Sequence, residues 1–255
     1  MLLRCLEHWS DRGLRAAVIL VVNVNRFDVA VLTFVNQFVG RWPEFDRFIA
    51  YLTWQNTLKG GVLCTLLWWA WFSGRDRARE IVLSTISGSF AAVLTARLLV
   101  AELPMRVRPL ANPALNLRIP RGINAGQFIA WSSFPSDHAV LFIGLATGLC
   151  FVLARVGIAA LVYTVLVILF PRLYGAIHYP TDLIAGALLG AAFVLLACWR
   201  PIRDRLSRPL LAFEKRRPAI FYAALFVTCF EIGELFTGVL NSARSVMRLM
   251  ARLLH

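Results

Sequence analysis

Apolar positions fall into six long runs along this chain, at residues 58–72, 81–101, 138–154, 156–172, 181–199 and 219–240, with charged residues gathered between them. Several runs are a little under the ~20 residues that cross a bilayer as a helix, and their polar ends can extend them. The pattern predicts six membrane helices. Gly, Ala and Ser recur in the second, third and fifth runs, which suits close helix packing in lipid.

The flanks read differently. Residues 23–54 mix apolar side chains with Arg26, Asp28, Arg41, Glu44, Asp46 and Arg47. They read as one or two amphipathic helices lying at the membrane interface, with a seventh span within 16–40 as the alternative. The tail sets Arg244, Arg248 and Arg252 four residues apart, on one basic helical face beside Val246, Met247, Leu249 and Met250. The expected fold class is all-α: a polytopic membrane helix bundle with six core transmembrane helices plus N-terminal and C-terminal interfacial amphipathic helices. Its parts are an interfacial region (1–56), a six-helix membrane domain (57–241) and a basic amphipathic tail (242–255).

Composition agrees. The 255 residues are 59% hydrophobic and 16% charged, where a soluble domain is about a quarter charged. No hydrophilic stretch is long enough for a second soluble domain. The net charge of +13 comes almost wholly from arginine, since Lys59 and Lys215 are the only lysines; that bias points to an arginine-rich bacterial genome. The basic residues sit in loops between apolar runs, so they read as contacts to anionic headgroups and not to nucleic acid. Cys64, Cys150, Cys198 and Cys229 lie inside apolar runs, Cys5 near the start, and no pair has metal-ligand spacing. No clean leader pattern is visible at the N-terminus.

Two of the four histidines carry chemistry. Pro135-Ser136-Asp137-His138 opens the third run, and Arg172 to Asp182, containing His178, joins the fourth to the fifth. An arginine, two imidazoles and a carboxylate within reach of one another suffice for phosphoryl transfer without a metal. The arginine holds phosphate oxygens, one imidazole attacks, the carboxylate orients it, and the other imidazole protonates the leaving group. Asp182 lies four residues after His178, with Pro180 suited to a first helical turn. The plain alternative is that His178 and Asp182 merely cap a helix end. Likewise Ser136 and Asp137 can be a simple N-cap, or the same geometry can offer backbone N–H groups and a hydroxyl to an anion. Arg106 and Arg108, in Arg106-Val107-Arg108-Pro109, add a clamp for phosphate oxygens.

Together these three elements resemble the type 2 phosphatidic acid phosphatase superfamily, which also contains bacterial acid phosphatases and vanadium haloperoxidases. Its signature is Lys-x6-Arg-Pro, Pro-Ser-Gly-His and Ser-Arg-x5-His-x3-Asp. The third part matches at Arg172, His178 and Asp182, with Pro171 for the leading Ser. The second matches at Pro135, Ser136 and His138, with Asp137 for Gly, as in a bacterial branch similar to undecaprenyl-diphosphate phosphatases. The first is half present: Arg108-Pro109 fits, but Ala101 stands where lysine is expected, and Arg97 or Arg106 is the candidate replacement. The resemblance implies His178 as nucleophile, Asp182 as its orienting carboxylate and His138 as acid. It implies Arg108, Arg172 and Ser136 as phosphate ligands, with no metal and no cofactor.

Topology puts both motifs on one membrane face. The other face carries eleven Lys and Arg residues against five on the motif side, so the motifs are expected to face the periplasm or exterior of a bacterial inner membrane. Glu231 and Glu234, on one face of the last run, either pair with an arginine or line a headgroup pocket, or mark where the helix reaches the interface. Trp68, Trp69 and Trp71 read as an aromatic belt. The function expected is a multi-pass lipid phosphatase, its partners being a lipid phosphate and membrane lipids. Isoprenoid diphosphate, phosphatidic acid and phosphatidylglycerol phosphate are the candidate substrates. The alternatives are a lipid phosphotransferase using the same phosphohistidine, or a non-catalytic lipid-binding or transport protein.

Overall fold

The structure, a computed structural model, describes residues 24–75, 77–124, 126, 128 and 131–235. The basic tail at 242–255 lies outside the described residues, as do the first residues of the alternative seventh span. Among the described residues the secondary structure is entirely helical. Helix α1 is Arg26–Asn36 and α2 is Pro43–Trp54. A π-helical turn, Thr57–Gly61, leads into α3, Val62–Phe72. Then follow α4 (Ala78–Glu102), α5 (Asp137–Val152), α6 (Ala154–Tyr174) and α7 (Pro180–Cys198). The last two are α8 (Arg200–Arg216) and α9 (Pro218–Gly233).

Three helices, α4, α6 and α7, are long and apolar enough to cross a membrane by length and composition. Helices α5 and α9 are apolar but have 16 residues each, about 24 Å of helix against a hydrocarbon core of about 30 Å. The runs expected from sequence each contain a helix, with ends shifted by a few residues. One expectation is corrected. Residues 200–216 were to be a basic loop, yet they form α8, which packs against α4, α7 and α9. Arg, Leu, Lys and Glu are good helix formers, and Pro201 sits in the first turn where proline is tolerated. Arg203 meets Glu80 at 3.3 Å and Arg79 meets Glu214 at 3.4 Å, pinning α8 to the start of α4.

The core is the triangle of α4, α5 and α7. Helix α5 is its hub, with Ala139, Val140, Leu141, Phe142, Leu145, Ala146 and Leu149 wholly buried. Glycines at the helix contacts, Gly148 and Gly190 among them, let the backbones approach closely. An added Cβ at Gly190 of α7 would stand 2.0 Å from the Val140 carbonyl oxygen, and one at Gly148 of α5 would stand 2.0 Å from Thr85 Oγ1 of α4. The outer faces of α4, α6 and α7 are apolar too, with Leu94, Leu98, Ile158, Leu166, Leu188 and Leu195 exposed. A surface of that kind is matched to lipid as solvent.

The aromatic cluster divides between two environments. Trp69 is exposed, with Arg75 over its ring. Trp71 is buried, and its Nε1 donates to the Tyr222 hydroxyl at 3.2 Å. Helices α1 and α2 are tied into the bundle through buried acids. Asp46 accepts from the Tyr174 hydroxyl at 2.6 Å and from the Gly40 amide at 3.1 Å.

Gly190→Ala should therefore lower the thermal midpoint in detergent, with an overpacking cost of about 1–3 kcal/mol or more. Gly61→Ala, whose Cβ meets only Thr57 Cγ2 at 3.4 Å, should leave the midpoint nearly unchanged in the same melting experiment.

Candidate functional site

Four chain segments converge at the C-terminal ends of α4 and α6 and the N-terminal ends of α5 and α7. After Arg172, in the last turn of α6, the chain reverses. The Arg172 carbonyl accepts from the amides of Ile177 at 2.9 Å and His178 at 3.3 Å, and Ala176 takes a positive φ of 53°. That short reversal returns His178 to the level of Arg172. Pro180 then starts α7, and Asp182 Oδ2 accepts from the Tyr179 amide at 2.8 Å, capping the helix. On α5, Ser136 is the N-cap and His138 lies in the first turn. First-turn amides have no intrahelical acceptor, and the dipole there favours an anion.

Two arginine–imidazole pairs form the centre. Arg108 Nη1 lies 3.1 Å from His178 Nε2, and Arg172 Nη2 lies 2.5 Å from His138 Nε2. Arginine has only donors, so each Nε2 presents a lone pair and each ring carries its proton on Nδ1. For His178 that proton has an acceptor, the Ser133 carbonyl at 2.8 Å. The Asp182 carboxylate lies 3.7 Å from the same Nδ1, beyond hydrogen-bond range. Asp182 acts on His178 mainly through its charge. Arg108 is held by the carbonyls of Trp131, Ile177 and Ser132 at 3.1–3.2 Å, and its guanidinium lies 5.5 Å over the Phe128 ring.

Two buried polar atoms here have no hydrogen-bond partner: Ser136 Oγ and Arg172 Nε. Orphaned donors at zero and 3% exposure are costly unless something fills the site. Two guanidinium groups and a helix N-terminus beside them give these atoms a strongly positive setting. Among the described residues no group of three His, Cys, Asp or Glu side chains is placed to hold a metal ion.

The remaining sequence candidates take supporting places. Arg106 bonds the Asp182 carboxylate through Nη1, reaches Asp28 through Nη2 at 2.7 Å, and lies 4.1 Å over the Tyr179 ring. Arg97 meets Asp137 at 3.4 Å and the Leu235 carbonyl at 2.5 Å. Both arginines are engaged with protein groups, so neither aims an open donor at the imidazoles. Asp137 is compensated by Arg97.

Three residues escaped the sequence reading. Ser133 donates its hydroxyl to Asp182 while its carbonyl holds His178. Asp28 of α1, wholly buried, accepts from the Thr181 amide at 2.9 Å, the Thr181 hydroxyl at 2.7 Å and Arg106. Lys59 is buried beside Arg172. Only the rarity of lysine in the chain pointed to Lys59, and nothing local singles out the other two.

Burial pushes the His178 imidazole down to about 4; Asp182 opposes this, and the charges of Arg108 and Arg172 reinforce it. The ring is neutral at neutral pH, which leaves Nε2 nucleophilic. Burial also lowers Arg108, to about 10, against the pull of Asp182 and Asp137, so it stays cationic.

An all-helical protein with a buried site lined by arginine and histidine is the class that fold and site define. The family profile of the PAP2 superfamily matches residues 57–205, and the chain belongs to that superfamily. The chain is 28% identical over 147 residues to the bacitracin transport permease protein BcrC of Bacillus licheniformis, covering 57% of this chain and 68% of that protein. No solved structure matches. Helices α1, α2 and α9 lie outside the matched region.

Breaking a buried ion pair on one side costs about 3–5 kcal/mol. Asp28→Asn should lower the thermal midpoint accordingly, and adding Arg106→Met should cost less than the two separate losses summed. His178 has a folded pKa below its unfolded one. Its contribution is therefore complete above pH ~6.5 and is lost as pH falls toward about 4. Melting temperatures measured between pH 7 and 4 should fall less steeply for His178→Gln than for the wild type.

Proposed function

We propose that this protein is a multi-pass lipid phosphatase of the bacterial inner membrane that works through a phosphohistidine. The six apolar runs cross the bilayer in this reading, and the arginine-rich ends face the cytoplasm. The site then opens to the periplasm or exterior. The observation that carries the reading is the pair of arginine–imidazole contacts around two orphaned buried donors, Ser136 Oγ and Arg172 Nε.

A phosphate dianion entering there would take the guanidinium groups of Arg108 and Arg172 onto its oxygens, with Ser136 as a further donor. Both Nε2 atoms would be uncovered at once. His178 Nε2 attacks phosphorus, forming a P–N bond as the bond to the leaving oxygen breaks. The Ser133 carbonyl and the Asp182 charge stabilise the cationic ring. His138, protonated in the complex with the dianion, gives its proton to the leaving oxygen. Water then attacks phosphorus, the P–N bond breaks, and His138 takes the water's proton.

The substrate head is a lipid phosphate or diphosphate of the isoprenoid, phosphatidic acid or phosphatidylglycerol phosphate class. The BcrC relative is named as a transport permease. Passage alone does not need two neutral imidazoles capped by arginines, and that favours chemistry here.

Purified protein in detergent with EDTA should release phosphate from at least one of these lipids. His178→Ala should release none and form no acid-labile phosphoenzyme. His138→Ala should slow turnover about 10²–10⁴-fold, and less for p-nitrophenyl phosphate, whose leaving group needs no proton. Absence of release and of phosphoenzyme from folded wild-type protein would end this reading in favour of binding or transport.

A further inference from the structure

Lys59 is 6% exposed, on a π-helical turn at the head of α3. That turn is held from two sides. The Tyr163 hydroxyl of α6 donates to the Leu58 carbonyl at 2.5 Å, and an added Cβ at Gly60 would stand 2.4 Å from Gly233 Cα of α9. π turns place a side chain where an α-helix would turn it away, and they recur at functional sites.

The Lys59 ammonium donates to the Thr53 carbonyl at 3.1 Å, and Arg172 Nη2 donates to the same oxygen at 3.4 Å. The two cations are therefore neighbours, and they repel each other. Among the described residues no carboxylate lies within ion-pairing distance of Lys59. Glu234 acts on it only at longer range and bonds Asn56 at 2.8 Å. The Lys59 charge also reaches the His138 ring. One carbonyl shared by two buried cations leaves an excess of positive charge on the side of the site where Arg172 Nε is orphaned. Such an excess is costly unless an anion joins it.

We infer that Lys59 is a phosphate-binding residue, a third cation beside Arg108 and Arg172. This rests on the anion site proposed above. It also accounts for Ala101, where the resemblance expects a lysine. Ala101 is exposed in the last turn of α4, and the ammonium comes instead from the turn at the head of α3, which shares the Thr53 carbonyl with Arg172.

The test uses the full chain in detergent and inorganic phosphate as probe. Phosphate affinity is read by calorimetry for the wild type, Lys59→Met, Lys59→Arg and Arg108→Met. Lys59→Met should bind phosphate about ten- to a hundredfold more weakly, the scale of one charge-assisted hydrogen bond, and Lys59→Arg should recover most of that loss. Affinity in folded Lys59→Met within twofold of the wild type, while Arg108→Met is impaired, would overturn the role of Lys59 alone. No phosphate binding by the wild type would overturn the anion site and Lys59 with it.

A second readout needs no variant. Lys59 and Lys215 are the only lysines, and Lys215 is exposed on α8. Phosphate should slow acetylation of Lys59 by acetic anhydride, followed by mass spectrometry, with Lys215 as the internal control. Equal slowing at both lysines, or none at Lys59, would overturn the assignment.

Discussion

Removing charge from water is the constraint on which this site is built, and the chain Asp28–Arg106–Asp182 is where it is met. One guanidinium bonds two wholly buried carboxylates, and the start of α7 donates a backbone amide to each. Each carboxylate alone would be costly in an apolar bundle. Together, with a helix dipole behind them, they form a cluster of one net negative charge next to His178. That residual charge opposes the burial and the two arginines that push the imidazole toward neutrality. The ring then sits between two influences, neutral at rest, with a negative cluster at hand to stabilise positive charge on it.

The bundle exists to hold that cluster still. Helices α4, α5 and α7 meet through glycine, alanine and serine at distances that admit no methyl group at Gly190 or Gly148. Contacts so close leave little room for the α5 and α7 N-termini to slide past one another. Ser136 and Asp182 ride on those two termini, and the Ser136 amide donates to the Asp182 carbonyl at 3.2 Å. Packing in the core is thus converted into placement at the rim.

Much of this was legible in the chain. Runs of apolar residues announce helices because hydrocarbon tolerates little else, and the spacing of Arg172, His178 and Asp182 survives any detail of packing. Ser136 and His138 stand at the mouth of a run, where a helix start is easily seen. Other features were hidden for physical reasons. Asp28 lies 153 residues from Thr181, and nothing in its neighbourhood marks a buried acid. Residues 200–216 looked like a loop because six basic residues and two prolines interrupt their apolar positions, although their helix propensity is good. Lys59 stands at the edge of an apolar run, where a lysine usually extends its amine to water. Only the π turn and its two neighbours keep it inside.

Helix α1 carries a last consequence. The stretch that matches the superfamily begins at residue 57, yet the ion chain at the centre of the site begins at Asp28. Ancestry and energetics therefore draw the edge of this machine in different places. A segment spanning only the matched residues would leave Arg106 and Thr181 without the carboxylate that holds them.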